Sequence, residues 1–330
     1  MKTKIIYTSS LDPWHNLALE EYLLNGVKQN ECILYLWQNQ NTVVIGKNQN
    51  AWQECRTELL EREGGKLARR SSGGGAVFHD TGNLNFSFLV DRNFYDVHKQ
   101  LRVILKAVEK LGIKAEFSGR NDLVVDDKKF SGNAFSVRKT SALHHGTILV
   151  SADMEKMTRY LQVSKEKIQS KGIQSVRSRV VNLIEYAPDL SIEKTKEAII
   201  QAFYEIYGKP DGIFNEEEYV DPLKLEPLIK KYASWEWRYG ESPKFDIELK
   251  TRFSWGGLDL YLRLVHGRIE KAWVYSDAMD EKFIEMLPTT LEGCIFKSQS
   301  ISNALYNMDV DDIKRSMVTD IANWIESKNF

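Results

Sequence analysis

Residues 69–88 read Arg69-Arg70-Ser71-Ser72-Gly73-Gly74-Gly75-Ala76-Val77-Phe78-His79-Asp80-Thr81-Gly82-Asn83-Leu84-Asn85-Phe86-Ser87-Phe88. Three consecutive glycines stand behind two cations and two hydroxyls. Glycine has no Cβ, so a ligand can lie against the backbone and positive φ is accessible. Successive backbone N–H groups in such a loop can turn toward an anion. Arg69 and Arg70 add permanent charge with forked donors suited to phosphate or carboxylate. A Gly/Ser linker is the competing reading. It fits poorly, because Asn83, Asn85 and Ser87 then alternate with Leu84, Phe86 and Phe88, the period of a half-buried strand. A linker does not run straight into a core strand, so the loop is expected to bind an anion.

Outward from this loop, Ile33–Trp37 and Thr42–Ile45 are β-rich runs separated by Gln38-Asn39-Gln40-Asn41, a hairpin signal. A helix is expected over 52–63. Val97, Leu101, Leu105, Val108 and Leu111 recur near helical spacing and predict an amphipathic helix over 95–111. Leu123–Val125, Lys129-Phe130 and Thr147–Val150 read as strands, the first two joined at Asp126-Asp127. Helices are expected over 154–161, 192–207 and 223–232. A boundary falls near 233–250, at the Gly240 and Pro243 break. Beyond it, alternating Leu258, Leu260, Leu262 and Leu264, a His266-Gly267 turn, the strand Ile269–Tyr275 and helices near 280–287 and 310–326 predict a small α+β domain.

Length and composition bound the function classes. A chain of 330 residues is expected to form two domains, here 1–245 and 246–330. Hydrophobic residues make up 42% and charged residues 28%, ordinary for a globular protein that needs no disulfides. A net charge of −1 provides no global field to recruit nucleic acid. Cys32, Cys55 and Cys294 are odd in number and widely spaced, which predicts a reducing compartment and no metal-ligand cluster. The N-terminus carries no long apolar run, so no signal peptide or membrane span is expected and the cytoplasm is the expected location. His79-Asp80 has the form of a phosphohydrolase metal dipeptide, yet no second cluster accompanies it. His144-His145 invites a zinc reading, but adjacent strand residues face opposite ways and cannot easily share one ion. No bound transition metal is expected.

Arg69–Asp80 resembles the signature loop of lipoate–protein ligases, which are related in fold to biotin ligases and octanoyltransferases. Further segments agree in order: Asp12-Pro13-Trp14-His15-Asn16-Leu17-Ala18, Thr42-Val43-Val44-Ile45-Gly46, Gly119-Arg120-Asn121-Asp122-Leu123-Val124-Val125, Lys129-Phe130-Ser131-Gly132, His144-His145-Gly146-Thr147, Ser175-Val176-Arg177-Ser178-Arg179-Val180 and Ser254-Trp255-Gly256-Gly257. The resemblance covers essentially the whole chain. It implies an α+β fold: a catalytic domain of the biotin/lipoate ligase type on a mixed or antiparallel sheet, plus a small C-terminal α+β accessory domain. It also implies ATP-dependent activation of lipoate, with Mg²⁺, to lipoyl-AMP. The acyl group then passes to a lysine on the E2 subunits of 2-oxoacid dehydrogenases or on the glycine cleavage H protein.

The resemblance assigns candidate residues. Lys129 is the expected catalytic lysine, because it alone precedes an apolar residue and Ser-Gly; spacing by itself does not lift it above Lys128. A fixed ammonium offsets repulsion between an anionic acid and an α-phosphate and stabilises charge developing there. Arg70, Gly75, Ala76, Val77, Phe78, Asn83, Asp122, Lys129, Arg177 and Arg179 match ATP-binding positions, with Asp122 also the candidate Mg²⁺ ligand. Phe78 reads equally well as plain core. Leu17, Trp37, Arg70, Ser72, Gly73, Gly74, Gly75, His79, Lys129, His145 and Gly146 match lipoate-binding positions. Arg177 and Arg179 lie in a segment that in the resembling ligases orders over the adenylate. The main rival is octanoyl or lipoyl transfer between carrier proteins without ATP. Such enzymes use a cysteine thioester, and no cysteine lies between Cys55 and Cys294. Biotin ligases alternate arginine with glycine in their loop, which this chain does not. A non-catalytic acyl-binding module would be expected to lose the lysine or the loop, and both are present.

Overall fold

The structure is a computed structural model and describes residues 1–119, 121–162, 180–239, 246–265 and 267–328. Contacts divide the chain into two units. The first comprises Met1–Ile45, Ala51–Ser71 and Ala76–Arg238; the second comprises Gly46–Asn50, Ser72–Gly75 and Tyr239–Phe330.

In the first unit, β1 (Lys2–Tyr7), β2 (Glu31–Trp37), β3 (Thr42–Ile45), β4 (Lys66–Arg69), β5 (Val77–His79), β6 (Asn83–Asp91), β7 (Glu116–Ser118), β8 (Asp122–Val125), β9 (Lys128–Val137), β10 (Ser141–Leu149) and β11 (Gly212–Asn215) form two sheets. The large one has the order β11-β1-β2-β6-β10-β9-β8-β7, and the small one β4-β3-β5. The β11-β1-β2 edge is parallel; from β2 onward the large sheet is antiparallel. Of the mixed or antiparallel sheet expected, the mixed form is present.

Helices cover both faces of the large sheet, which is why its central strands are buried on both sides. Cys32, Leu34, Leu36, Phe86 and Phe88 pack with the helices Val97–Lys110 and Ile192–Tyr207. Ile33, Tyr35, Trp37 and Leu89 pack with Leu17, Leu23 and Leu24 of the Pro13–Gly26 helix and with Leu225 and Tyr232 of Pro222–Ala233. Asp12 caps the Pro13–Gly26 helix by accepting from Trp14 N–H at 2.8 Å, and Pro13 opens its first turn.

Two local expectations fail for tertiary reasons. β2 and β3 form no hairpin: Trp37 pairs with Asn85 in the large sheet, whereas Thr42 pairs with Lys66 and His79 in the small one. The intervening Gln38–Asn41 is held from outside, by the Asn16 amide donating to the Gln38 carbonyl at 2.7 Å and to Asn39 Oδ1 at 3.0 Å. The expected helix over 52–63 is broken into Ala51–Glu54 and Thr57–Arg62. At the break, Arg56 N–H donates to the Tyr160 carbonyl at 2.9 Å and Gln162 N–H to the Glu54 carbonyl at 2.9 Å. By contrast, the Val97–Lys110, Met154–Tyr160, Ile192–Tyr207 and Pro222–Ala233 helices follow the sequence pattern closely.

The second unit contains β12 (Ile247–Phe253), β13 (Gly256–Val265) and β14 (Arg268–Ser276) in an antiparallel sheet, with helices Glu281–Leu291, Ser298–Tyr306 and Asp312–Lys328. Leu258, Leu260, Leu262, Phe283, Leu287, Ile301 and Ile321 form its core. β12 and the Ser298–Tyr306 helix go beyond the sequence reading. Within this unit Gly74 N–H donates to the Ala278 carbonyl at 3.1 Å. A Cβ at Gly73 would stand 2.6 Å from that same carbonyl oxygen, and Gly74 has φ +89°, so the glycines here answer a steric demand. Gly75 has neither constraint. No described helix is long and apolar enough to cross a membrane.

Candidate functional site

The β8–β9 connection turns at Asp126 and Asp127, whose φ values of +48° and +62° suit a tight hairpin turn. Leu123 pairs with Ser131, but Val124 pairs with Lys129, so Phe130 is an extra residue on β9. This bulge sends Phe130 into the core at 0% exposure. It turns Lys129 toward the opposite face, because a bulge resets which way following side chains point. The lysine side chain crosses Gly132, where an added Cβ would lie 2.7 Å from Lys129 Nζ. Lys129 Nζ stands 2.7 Å from Asp122 Oδ1, with side-chain exposures of 33% and 38%. Lys128 is exposed and lies outside this arrangement. A partly exposed ion pair contributes only about 0–1 kcal/mol to stability. Its importance is that it presents an oriented ammonium.

On the same sheet face lies a buried polar chain. Trp37 Nε1 donates to Ser87 Oγ at 3.0 Å, and Ser87 Oγ donates to Glu20 Oε1 at 2.5 Å. Glu20 Oε1 also lies 2.8 Å from His145 Nδ1. Glu20 is 2% exposed, and a buried carboxylate survives only with such partners. The sequence reading did not single out Glu20. A signal existed: it lies among Asn16, Leu17, Leu23 and Leu24 on the buried stripe of its helix. The strand carrying Ser87 was read as half-buried, yet every residue of β6 is buried, its polar row included.

Arg70 and His79 complete the cluster. Burial pushes the Arg70 guanidinium down to about 10, opposed by the charges of Glu20 and Glu54, so it stays cationic at neutral pH. Burial, then Arg70 and His145, push His79 down to about 3, so its imidazole is neutral. Asn39 Nδ2 lies 3.1 Å from His79 Nδ1. An amide N–H can only donate, so Nδ1 accepts and Nε2 carries the proton. That N–H is buried without a partner among the described residues. Arg69, in contrast, donates to the carbonyls of Trp237 and Arg238, both at 2.8 Å. Its charge serves a main-chain clamp, a use the sequence reading did not foresee.

Leu17 and Trp37 are buried in the core on this face. Phe78 is buried against Tyr160, with ring centroids 5.7 Å apart, while Ala76 and Val77 are half-buried. Asn83 is fully buried and donates to Asn85 Oδ1 at 3.0 Å. Asp80 accepts from Gly82 N–H at 2.9 Å and Asp153 N–H at 2.7 Å, the work of a turn residue. His144 and His145 face opposite sides of the sheet. The vacant side of Gly146 faces Phe86 and Asn133, where an added Cβ would lie 2.5 and 2.7 Å from their atoms. Among the described residues no group of three His, Cys, Asp or Glu could hold a metal ion. Ser72, Gly73, Gly74 and Gly75 belong to the second unit. Arg177 and Arg179 lie outside the described residues.

Cys32 and Cys55 are buried, and burial pushes both thiols up to about 12. A thiol held that high is a poor source of nucleophilic thiolate.

Stability is expected to fall in mild acid. Burial depresses His144 as well as His79 to about 3, from an unfolded value near 6.5. The unfolded chain therefore binds more protons between those values. The histidine contribution is complete above about pH 6.5 and declines toward pH 3, by roughly 1 kcal/mol per pH unit for each histidine. Urea midpoints measured from pH 7 to pH 4 test this; a flat profile rules it out.

Residues 12–204 match the lipoyl protein ligase A/B catalytic domain, and residues 242–325 match the bacterial lipoate protein ligase C-terminus. A lipoate-protein ligase A from Psychrobacter cryohalolentis is 39% identical, over 98% of each chain. The crystal structure of P. falciparum LipL1 in complex with lipoate superposes with a TM-score of 0.87 at 29% identity, covering 98% of this chain and 99% of that one. A lipoate-protein ligase A bound with ATP gives a TM-score of 0.63 at 28% identity, covering 73% of this chain and 99% of that one. With the catalytic and C-terminal matches in order along one chain, and a relative alike over nearly its whole length, this protein belongs to the lipoyl protein ligase A/B family.

Proposed function

We propose that this chain activates lipoate with ATP and transfers the lipoyl group to an acceptor lysine. The observation that carries the reading is the Lys129–Asp122 pair, presented by the β9 bulge over the bare face of Gly132. A lipoate carboxylate oxygen attacks the α-phosphorus of ATP, the bond to the β-phosphate oxygen breaks, and lipoyl-AMP and pyrophosphate form. The ε-amine of the acceptor lysine, after losing a proton, attacks the acyl carbon; the acyl–phosphate bond breaks and AMP leaves. Lys129 offsets the negative charge that gathers when the carboxylate meets the phosphate. Arg70 adds a second buried cation. Leu17, Trp37, His79 and His145 line the acyl site, and Asn83 and Asp122 serve the phosphates. Gly75 to Phe78 receive the nucleotide on their backbone.

A single accessible carboxylate at Asp122 fits Mg²⁺, which is commonly held by one or two carboxylates together with substrate phosphates. When bound, the ion neutralises phosphate charge. Residues 1–245 carry this chemistry and 246–330 are accessory, in a cytoplasmic enzyme acting on E2 subunits and the glycine cleavage H protein. Lipoate-dependent exchange of labelled pyrophosphate into ATP tests the first step; its absence in folded protein rejects the proposal.

Acyl transfer through a cysteine, without ATP, is disfavoured by the two buried, raised thiols. A Cys32→Ser, Cys55→Ala, Cys294→Ser variant is expected to ligate lipoate at near the parental rate. Loss of transfer with adenylate formation retained, in folded protein, would favour the thioester route.

A further inference from the structure

We propose that His144 is a positioning residue for Lys129 and Asp122, acting through Asn133 to hold the Asn121–Asp122 corner in place. The inference rests on the assignment of Lys129 to adenylation. His144 is fully buried on the face of the sheet opposite Lys129, with ring centroids 5.5 Å from Phe86, 5.6 Å from Phe88 and 4.8 Å from Phe135. In that aromatic setting a phenylalanine would satisfy packing. The imidazole instead lies between two side-chain amides, with Nδ1 3.0 Å from Gln100 Oε1 and Nε2 2.9 Å from Asn133 Oδ1.

The chain has a direction. Asn133 Nδ2 donates to the Asn121 carbonyl at 3.0 Å, so Asn133 Oδ1 must accept, and His144 Nε2 carries the proton. A neutral imidazole then accepts at Nδ1, which calls for the N–H end of the Gln100 amide where Oε1 stands. A half-turn exchanges two ends of similar shape and gives Gln100 Nε2, otherwise unpartnered among the described residues, an acceptor. The Asn133–Asn121 contact is reciprocal. Asn121 Nδ2 donates to the Asn133 carbonyl at 2.7 Å, and Asn133 N–H to the Asn121 carbonyl at 2.9 Å. Space is reserved for this arrangement: a Cβ at Gly146 would stand 2.7 Å from Asn133 Oδ1.

The next residue after Asn121 is Asp122, which pairs in register with Gly132 and holds Lys129 at 2.7 Å. In four-residue β8, Leu123, Val124 and Val125 are apolar and buried on both faces, so burial by itself does not penalise a one-residue slip, which would turn every side chain to the other face. A directional, buried hydrogen-bond chain makes one register unique where apolar packing alone tolerates two. His144 thus touches no substrate and acts by keeping the bulge, and with it the lysine, in place.

His144→Phe keeps the ring packing and removes both hydrogen bonds; His144→Gln retains a donor. In lipoate-dependent ATP–pyrophosphate exchange, His144→Phe is expected to lower kcat about 10-fold or more, with KM for lipoate and ATP changed by less than about twofold. His144→Gln is expected to recover most of the loss. Asn133→Ala, which cuts the chain between His144 and the Asn121 carbonyl, should give the same kcat-selective loss and carries the test if His144→Phe does not fold. In a cycle with Asp122→Ala, either variant should add little to the single Asp122→Ala loss, because both act through the same pair. An unchanged kcat in folded protein, or fully additive losses, overturns the proposal. Lys129→Ala, assayed in parallel, separates the two levels. If it retains exchange, the adenylation assignment fails and the proposal falls with it. If it abolishes exchange while His144→Phe is as fast as the parent, only the positioning role is lost.

Discussion

Lys129→Ala is expected to lose lipoyl-adenylate formation by at least about 10²–10³-fold, the scale seen when one oriented charge-stabilising donor is removed from a reacting centre. The fold should persist. The Lys129–Asp122 pair is about one-third exposed, so its removal costs at most about 1 kcal/mol. The substitution also leaves the Asp122 carboxylate uncompensated where the triphosphate arrives, which adds repulsion to the lost attraction. Lys128→Ala, one residue away and exposed, should be nearly silent. Exchange kinetics at saturating lipoate and ATP, with a urea midpoint for each variant, provide the check. Full exchange by Lys129→Ala would remove this lysine from the chemistry.

Gly132→Ala should separate function from stability in the same way without touching a charge. The added methyl would stand 2.7 Å from Lys129 Nζ and 2.8 Å from its Cε. Those atoms end a flexible side chain, so they move aside at little cost to the fold. The movement takes the ammonium off its bearing, and a displacement of about 1 Å at a reacting centre can cost on the order of 100-fold in rate. The expected result is a folded protein with a urea midpoint near the parent's and adenylation lowered by about 10- to 100-fold. An unchanged exchange rate would show that the path of Lys129 over Gly132 is not the one used in catalysis. A large stability loss with unchanged rate per folded molecule would make Gly132 a purely structural glycine.

Local pattern carried much of the architecture. The Val97–Lys110 and Ile192–Tyr207 helices follow apolar periodicity, and the Asp126-Asp127 turn follows from residues tolerant of positive φ. β12 was equally legible: Ile247, Leu249, Thr251 and Phe253 alternate with charged residues, but a boundary reading near 233–250 obscured it. The Gln38–Asn41 segment showed that the chain turns. It could not show that the flanking strands enter different sheets, because that depends on Asn16, Asn85 and Lys66, which are distant in sequence.

The same division runs through the site. Residue types alone marked the glycine loop and the Arg69-Arg70 pair before it, because their chemistry is local; the Lys-Phe-Ser-Gly segment, and Arg70 as a site residue, came from the resemblance. Choosing Lys129 over Lys128 took the resemblance to a family. Tertiary structure decided where that chemistry points. The skipped partner at Phe130 turns Lys129 onto the face shared with His145, and the helix-borne Glu20 meets His145 and Ser87 across more than 60 residues of chain. Arg69, beside Arg70 and identical in type, is spent on the carbonyls of Trp237 and Arg238. Side-chain type is written position by position. The direction of a side chain depends on strand register and on partners brought together only when distant segments pack.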